Sequence, residues 1–362
     1  MDIFSLPSSA TDIIRKYTQA SEEAGQLHLE IIKLIERERW FKLYLTEEHG
    51  GLNTDLPGIL RLLESLAKAD GSTGWTVTLC SGASWFAGFL EDELRDEIFL
   101  KLETCITGSG ATSGTAVKTP EGYLVTGSWK YSSGALHATH FTANCFILNQ
   151  DGSDVLDENG EPSVRSFVFK RSEIRSIPTW SSIGMVATGS HGFEVSHLAV
   201  PASRSFLING DMKMQTNAGN YPFLQLAETT LAVNFSGMAL HFLELAKTLV
   251  LNATYLQRFS ESQAEIVQEV FTRQQQLLME ARKNFFQTAD RSWHDLQNGS
   301  LQNTILEELS QTSRRLAHIS RRLSENIWPY CGLEAARKDS ELNRVWRDIH
   351  TASQHALLTF ES

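Results

Sequence analysis

The sequence lacks the features that define several large classes of protein. Its four cysteines, Cys80, Cys105, Cys145 and Cys331, are far apart and form no CxxC pair, which argues against a disulfide framework and a structural zinc site. No uninterrupted apolar run approaches the roughly 20 residues that span a bilayer. The first residues carry neither the basic flank nor the apolar stretch of a secretory signal. We therefore expect a protein of the reducing cytoplasm, without a metal.

Basic residues are also in the minority. The chain has 32 lysines and arginines against 43 aspartates and glutamates, for a formal net charge of −11, and this balance argues against nucleic acid or an anionic membrane as a general partner. The 362 residues are 41% hydrophobic and 21% charged, which is the composition of a folded protein of two or three domains. These limits leave an enzyme that acts on a small molecule, or an assembly protein.

The hydrophobic pattern divides the chain into three regions. Residues 1–104 have apolar residues at helical spacing, residues 105–217 alternate with a period of two between turn signals, and residues 218–362 return to the helical period. The last region predicts four long helices, over 227–256, 261–296, 305–328 and 334–360. The predicted fold class is α+β: an N-terminal helical domain, a small central β-barrel or sandwich, and a C-terminal four-helix bundle.

Four passages resemble the acyl-CoA dehydrogenase superfamily of flavoproteins. They are EEHGGLNTD, LAKADGSTGWTVTL, the pair EGYLVTGSWKYSSG and WSSIGMVATGSHGFEVSHLAVP, and CGLEAARKDSELNRVWRDIHTASQH. The DGSTGW form is typical of the flavin-dependent hydroxylase branch. The resemblance implies this superfamily's fold, and a flavin (FAD or FMN) bound between the β domain and the bundle. It also implies a homodimer or homotetramer.

A flavin requires backbone donors along one edge of its ring and short polar side chains beside it. The resemblance assigns Tyr131, Ser132 and Ser133 to this role, because they follow a strand and precede Gly134, where a turn would expose their N–H groups. It also implies that the segment ITGSGATSG contributes polar side chains on a backbone loosened by glycine. The remaining predicted cofactor-binding residues are Thr107, Ser109 and Thr112 of that segment, and Arg347 of the RD dipeptide.

The base that acyl-CoA dehydrogenases use is absent from its usual place. In the common branch of the family a glutamate in a Y-E-G-T motif follows the RD dipeptide and removes a proton from the substrate. Here Arg347 and Asp348 are followed by IHTASQHALLTFES, with no glutamate before Glu361. Glu228 or Glu244, on an earlier helix, is the alternative base, although a solvated helix face explains both residues more simply.

Histidine occupies that stretch instead. A neutral imidazole that titrates near pH 6.5 can accept a phenolic proton and later return one, and the hydroxylase branch is similar in placing a histidine here. His350 and His355 lie five residues apart, about 140° around a helix, so only one is expected to face the flavin. We predict that His355 is the catalytic acid or base, and that Ser132 or Ser133 orients the substrate.

Two departures from the family also bear on the cofactor and the chemistry. Where the hydroxylase branch commonly has another histidine, eight residues after the tryptophan of DGSTGW, this chain has Ala83 and Ser84. Where dehydrogenases carry R-x-x-F-G, it reads RFS around Arg258. The second departure favours a weakly held reduced FMN or FAD, delivered by a separate reductase, over a tightly bound FAD.

Three functions remain open from the sequence. The first is a two-component flavin-dependent monooxygenase, an oxidoreductase that uses reduced flavin and O2 on an aromatic or heteroatom-containing small molecule. The second is an acyl-CoA dehydrogenase-like enzyme that oxidises a CH–CH bond of a thioester with FAD. The third is a family member that has lost catalysis and serves as an assembly scaffold.

Overall fold

Helices form the N-terminal region of the computed structural model, which describes residues 6–208 and 210–361. The most buried of them carries the DGSTGW motif, and Asp70 caps its N-terminus by accepting hydrogen bonds from the backbone and side chain of Thr73. A side chain at Gly74 would overlap Ala67, so this helix and the preceding one pack with their backbones close together. The helices are α1 (Ser8–Ala24), α2 (Leu29–Arg37), α3 (Leu56–Ala69), α4 (Gly71–Trp85) and α5 (Asp92–Phe99).

Seven strands follow and form one mixed sheet. They are β1 (Ile106–Thr119), β2 (Gly122–Trp129), β3 (His140–Leu148), β4 (Val164–Lys170), β5 (Arg175–Ile177), β6 (Gly192–Pro201) and β7 (Ser205–Phe206). Their order across the sheet is β5-β6-β2-β1-β3-β4-β7. The pair β1 and β3 is parallel and the other pairs are antiparallel.

The sheet curls around a core of its own. Trp129 of β2 lies with its ring centroid 5.9 Å from that of Phe169 of β4, although β1 and β3 separate these strands in the sheet. Neighbouring strands are about 4.8 Å apart, so a flat sheet would hold β2 and β4 roughly 14 Å apart. Tyr123 and Phe167 make a similar contact, at 5.2 Å. This curvature agrees with the small barrel or sandwich that the period-two pattern predicts.

The C-terminal region is a helical bundle of three long helices and one shorter helix, which packs against two of them. The central helix, α6 (Phe223–Val250), is buried on nearly all sides because it packs against α3 and α4 as well as against the other bundle helices. At the contact with α3, a side chain on Gly237 would lie 2.3 Å from the carbonyl oxygen of Glu64. The helices are α6 (Phe223–Val250), α7 (Ala253–Leu256), α8 (Glu261–Gln297), α9 (Asn303–Ile327), α10 (Gly332–Ala336) and α11 (Glu341–Ala352).

The last predicted helix, over 334–360, is wrong in its extent. The structure divides this stretch into α10, α11 and a single 3-10 turn at Ala356–Leu358. Consequently His355 lies beyond the end of α11, and the angle of 140° between His350 and His355 on one helix does not apply. The limits predicted for the three regions fall in the connections 100–105 and 207–222, and the division into domains stays a prediction.

Candidate active site

A cavity of about 320 Å³ lies where α4, α6, the sheet and the C-terminal segment meet. Three aromatic side chains form one part of its wall: Phe86, with its ring centroid 5.6 Å from each of two others, Phe206 and Phe223. Polar side chains, among them Asn144 and His355, form another part. The cavity therefore combines an apolar surface with a few polar groups, as ligand sites in proteins commonly do.

His355 is the only histidine in the wall, among the residues described by the structure. Its ring meets that of Trp75 edge to face, with centroids 5.8 Å apart, and Trp75 belongs to the DGSTGW motif at the start of α4. Burial lowers the pKa of His355 below the ordinary value of 6.5, so the imidazole is neutral at pH 7. Its buried Nδ1 atom has no hydrogen-bond partner within the described part of the chain. A neutral ring with a free nitrogen is able to accept or donate a proton.

The turn that contains Ser132 and Ser133 is hydrogen-bonded to β1, because the Thr107 hydroxyl donates to the Ser133 carbonyl. The Ser132 N–H donates to the carbonyl of His191, so this donor is not exposed as the sequence led us to expect. The Gly134 N–H donates to the carbonyl of Thr188. The Ser133 hydroxyl shares a hydrogen bond of 2.9 Å with Ser190. The Ser132 hydroxyl is fully buried and, among the described residues, has no partner. Neither serine lines the cavity.

Three of the predicted cofactor residues lie along β1. Thr107 is buried and its hydroxyl donates to the carbonyl of Ser133 at 2.6 Å. Ser109 lines the cavity, and its hydroxyl donates to the carbonyl of Lys130. Thr112 is half-buried at an irregularity of the β1–β3 register. Strand β1 is therefore hydrogen-bonded to the turn that contains Ser133, and it also contributes Ser109 to the cavity wall.

Tyr131 and Arg347 lie away from the cavity. Tyr131 is 59% exposed, and its ring makes an edge-to-face contact with Trp180 at 5.7 Å. Arg347 pairs with Glu22 at 2.7 Å and donates to the carbonyl of Ile183 at 2.5 Å. The guanidinium of Arg347 thus joins α11 to α1 and to the loop before Met185.

Asp348, the second residue of the RD dipeptide, supports the serine turn. Its carboxylate accepts a hydrogen bond from the Met185 N–H. The segment from Met185 continues to Thr188, whose carbonyl accepts from Gly134 and whose hydroxyl lies 2.7 Å from that of Ser190. Burial and then the nearby Asp70 raise the pKa of Asp348 to about 7. Sequence reasoning noted the dipeptide but not this contact.

The two alternative carboxylate bases are engaged elsewhere. Glu228 is buried and pairs with Arg314 of α9 at 2.8 Å. Glu244 is half-exposed and pairs with Lys68 at 2.5 Å. Within the described part of the chain, no aspartate or glutamate lines the cavity. The structure thus brings His355, but neither of these glutamates, to the cavity wall.

Sequence reasoning missed most of the wall. Tyr44, Phe86, Phe206 and Phe223 come from four separate segments and carry no local signal that separates them from core residues. Asn144 and Ser166 pair on β3 and β4, and the serine hydroxyl donates to the asparagine oxygen at 2.6 Å. Both lie on the face opposite the sheet's own core, where polar residues are common, so this pair carries no local signal of a site either.

The described helices include none that is both long and apolar enough to cross a bilayer. The same residues contain no group of three or more histidine, cysteine, aspartate or glutamate side chains arranged to hold a metal ion.

Comparison with known proteins identifies the class to which this fold and cavity belong. The family described as "Acyl-CoA dehydrogenase, C-terminal domain" matches residues 237–360. The structure also superposes on XiaF from Streptomyces, solved with FADH2 and glycerol, with a TM-score of 0.82. That match has 20% identity and covers 97% of this chain and 90% of XiaF. The chain is thus similar to the acyl-CoA dehydrogenase superfamily in sequence over residues 237–360 and has the fold of XiaF along nearly its whole length, as its motifs predict.

Curated relatives define the branch more closely. An indole-3-acetate monooxygenase from Acinetobacter baumannii is 24% identical over 351 residues, which are 95% of this chain and 88% of the relative. The oxygenase subunit HsaA of a flavin-dependent monooxygenase from Mycobacterium tuberculosis is 25% identical over 365 residues, with the same coverage of 95% and 88%. Both relatives are monooxygenases by name and are similar to the chain over nearly its whole length. The predicted resemblance, fold class, enzyme class and flavin cofactor are therefore confirmed.

Proposed function

We propose that this chain is the oxygenase component of a two-component monooxygenase, which uses reduced flavin and O2 to transfer oxygen to an aromatic molecule. One observation carries the proposal: the cavity presents a neutral histidine, His355, and its described wall contains no carboxylate. A dehydrogenase would need a carboxylate there to remove a carbon-bound proton. The relatives, which are monooxygenases by name, support the same choice.

The protein's own groups would transfer a proton, keep water out of the cavity and hold the substrate ring. When bound, reduced flavin supplies the electrons that activate O2. His355 would accept a proton from a substrate hydroxyl or ring N–H through its neutral imidazole and later return it. The aromatic side chains Phe86, Phe206 and Phe223 would keep water out and hold the substrate ring.

The residues present fit a flavin beside β1. Ser132 has a buried hydroxyl without a partner among the described residues, which is costly unless a ligand completes it. We keep Thr107, Ser109, Thr112, Ser132 and Ser133 in the proposed flavin site, with Tyr131 as an exposed ring at its edge. We leave Arg347 out, because Glu22, Asn343 and the Ile183 carbonyl occupy its guanidinium.

The binding of reduced flavin tests this function. We expect anaerobic titration to give at least 10-fold tighter binding of reduced FMN or FAD than of the oxidised form, because the flavin has to arrive reduced from another protein. XiaF was solved with FADH2, so a protein of this fold binds the reduced flavin. Admission of O2 with an aromatic substrate should then give hydroxylated product. Bleaching of the oxidised flavin by an acyl-CoA, without uptake of O2, would instead establish the dehydrogenase.

The proposal includes two protein partners. The HsaA relative is named as an oxygenase subunit, and this supports a separate reductase that supplies the flavin. We also propose a homodimer or homotetramer, because α8 exposes Ile266 and Leu277, eleven residues apart and hence on one side of the helix. Light scattering should give two or four times the chain mass of 40.5 kDa, and Ile266→Glu with Leu277→Glu should lower it. A wild-type mass of one chain contradicts this part.

A further inference from the structure

Tyr44 lies in the cavity wall with an unused hydroxyl. The residue is only 2% exposed, and its hydroxyl has no hydrogen-bond partner among the residues that the structure describes. A hydroxyl that leaves water without finding a partner in the protein is costly. The bond that Tyr44 lacks is therefore one that a molecule inside the cavity can supply.

The other hydroxyls of the wall are already committed. Every serine and threonine hydroxyl in the described wall donates its proton to an oxygen of the protein. The five bonds are Thr78 to Gly74, Ser109 to Lys130, Thr142 to Thr107, Ser166 to Asn144 and Thr230 to Leu226. The amide of Asn144 donates one of its two protons to the Gly110 carbonyl, and this half-buried side chain has access to water for the other. Tyr44 thus holds the one uncommitted hydroxyl proton of the described wall.

The loop over residues 50–54, which contains the glycine pair of the EEHGGLNTD motif, holds Tyr44 in place. The carbonyls on either side of it, those of Leu43 and Leu45, accept hydrogen bonds from N–H groups of this loop. A side chain on Gly51 would lie 2.1 Å from the Leu45 carbonyl oxygen, so the close contact requires glycine. A donor held in this way needs little reorganisation when a ligand binds.

The charge of the cavity gives this donor a chemical task. Among the residues that the structure describes, no lysine or arginine lines the cavity. When His355 accepts a proton from a substrate hydroxyl, the substrate oxygen is left with a negative charge. Burial raises the pKa of the Tyr44 hydroxyl above its ordinary value of 10, so this group keeps its proton and can donate to the charged oxygen. Such charge-assisted hydrogen bonds are about twice as strong as neutral ones.

We propose that Tyr44 is a second catalytic residue of the cavity, whose hydroxyl donates a hydrogen bond to the substrate atom from which His355 removes a proton. The proton passes from the substrate to the imidazole, Tyr44 keeps its own proton, and the hydrogen bond stabilises the charge that remains on the substrate. This inference rests on the proposed function, because it adds a residue to the proton transfer assigned to His355.

The probe 4-nitrophenol tests the role of Tyr44, because its anion is yellow and its neutral form is not. Tyr44→Phe keeps the ring and removes only the hydroxyl. We expect this variant to lower the ratio of bound anion to bound neutral probe at least about 10-fold, because a hydrogen bond to a charged group has about this effect. Spectra are recorded between pH 6 and pH 9 with the protein in excess and without flavin. Tyr221→Phe is the matched control, since it removes a buried hydroxyl that bonds to Ser292 at 2.6 Å outside the cavity wall, and it should keep the wild-type ratio.

Three results would overturn the inference. They are an equal ratio in the wild type and Tyr44→Phe, no binding of 4-nitrophenol by the wild type, and a lowered ratio in Asn144→Leu but not in Tyr44→Phe. Thermal unfolding verifies that the variants fold. Failure of the wild type to bind reduced flavin would reject the proposed function, whereas the ratio, measured without flavin, tests Tyr44 separately.

Discussion

Replacement of His355 by alanine is expected to lower the rate of oxygen transfer by about 100-fold or more, the usual size of a lost acid or base. The imidazole is in the cavity wall, is neutral because burial lowers its pKa, and keeps Nδ1 free. Reduced flavin should still bind and react with O2, so that O2 is consumed and released as hydrogen peroxide. Single-turnover product yield, together with peroxide, measures both effects.

The pH dependence separates a chemical role of His355 from a structural one. A base acts in its neutral form, so the wild-type rate should be constant near pH 7 and fall only as the pH drops below the lowered pKa of His355. In His355→Ala, this fall in rate at low pH should be absent. His350→Asn is the matched control, because His350 stacks on Trp346 and bonds to the Trp346 carbonyl outside the cavity wall. An unchanged product yield in His355→Ala would remove His355 from the mechanism.

The sequence predicted His355 but not the way in which it reaches the cavity. Periodicity extended the last helix through residue 360, whereas α11 ends at Ala352 and the chain then turns toward α4. The contact of His355 with Trp75 is a tertiary one, between residues 280 positions apart by their numbers, and it overrides the local helical pattern. A local sequence pattern carries no information about a contact between residues so far apart in the chain.

Helix α8 shows the opposite case, in which local signals were sufficient. The predicted helix covered 261–296 and the observed one is Glu261–Gln297. Ser260 and Gln263 form a capping box at its start, and Gly299, with a positive φ of 67°, follows its end. Because both ends are determined by residues adjacent in the sequence, the pattern predicted the bounds to within one residue.

The candidate site was predictable in its chemistry but not in its geometry. The motifs indicated a flavin, serines beside it and a histidine, and these assignments required only residue types in order. The cavity wall draws on α4, α6, β1, β3 and the C-terminal segment, and no spacing in the sequence relates those segments. Arg347 shows the consequence, because its motif is present while its guanidinium binds Glu22 instead of the cavity.

Asp348 should give the protein an unusual pH dependence of stability. Its carboxylate is buried, anchors the Met185 N–H, and lies near Asp70 and Glu22, which oppose its charge, and near Arg344, which favours it. The pKa is about 7 in the folded protein against an ordinary 3.8. Between these values the folded state binds the extra proton, so this contribution is fully present below about pH 4 and is lost as the pH rises to about 7. The difference amounts to at most about 4 kcal/mol.

The substitution Asp348→Asn removes the titration and keeps the oxygen that accepts from Met185. We therefore expect the free energy of unfolding of this variant, relative to the wild type, to rise between pH 4 and 7 and to stay constant above. Asp348→Ala also removes the acceptor, which leaves a buried N–H unpaired at a cost of about 1–3 kcal/mol. That variant should also bind reduced flavin more weakly, because hydrogen bonds link Met185 through Thr188 and Ser190 to the turn that contains Ser133.

Denaturation in guanidinium chloride at pH 5 and pH 8 measures these differences, and anaerobic titration measures the affinity for reduced flavin. Asp154→Asn, on an exposed hairpin loop, is the matched control for the removal of one carboxylate from the surface. Parallel stability curves for the wild type and Asp348→Asn across this range would mean that Asp348 stays ionised in the folded protein. The carboxylate would then act as a charged anchor of the turn, and the asparagine variant would lose affinity for reduced flavin as fully as the alanine variant.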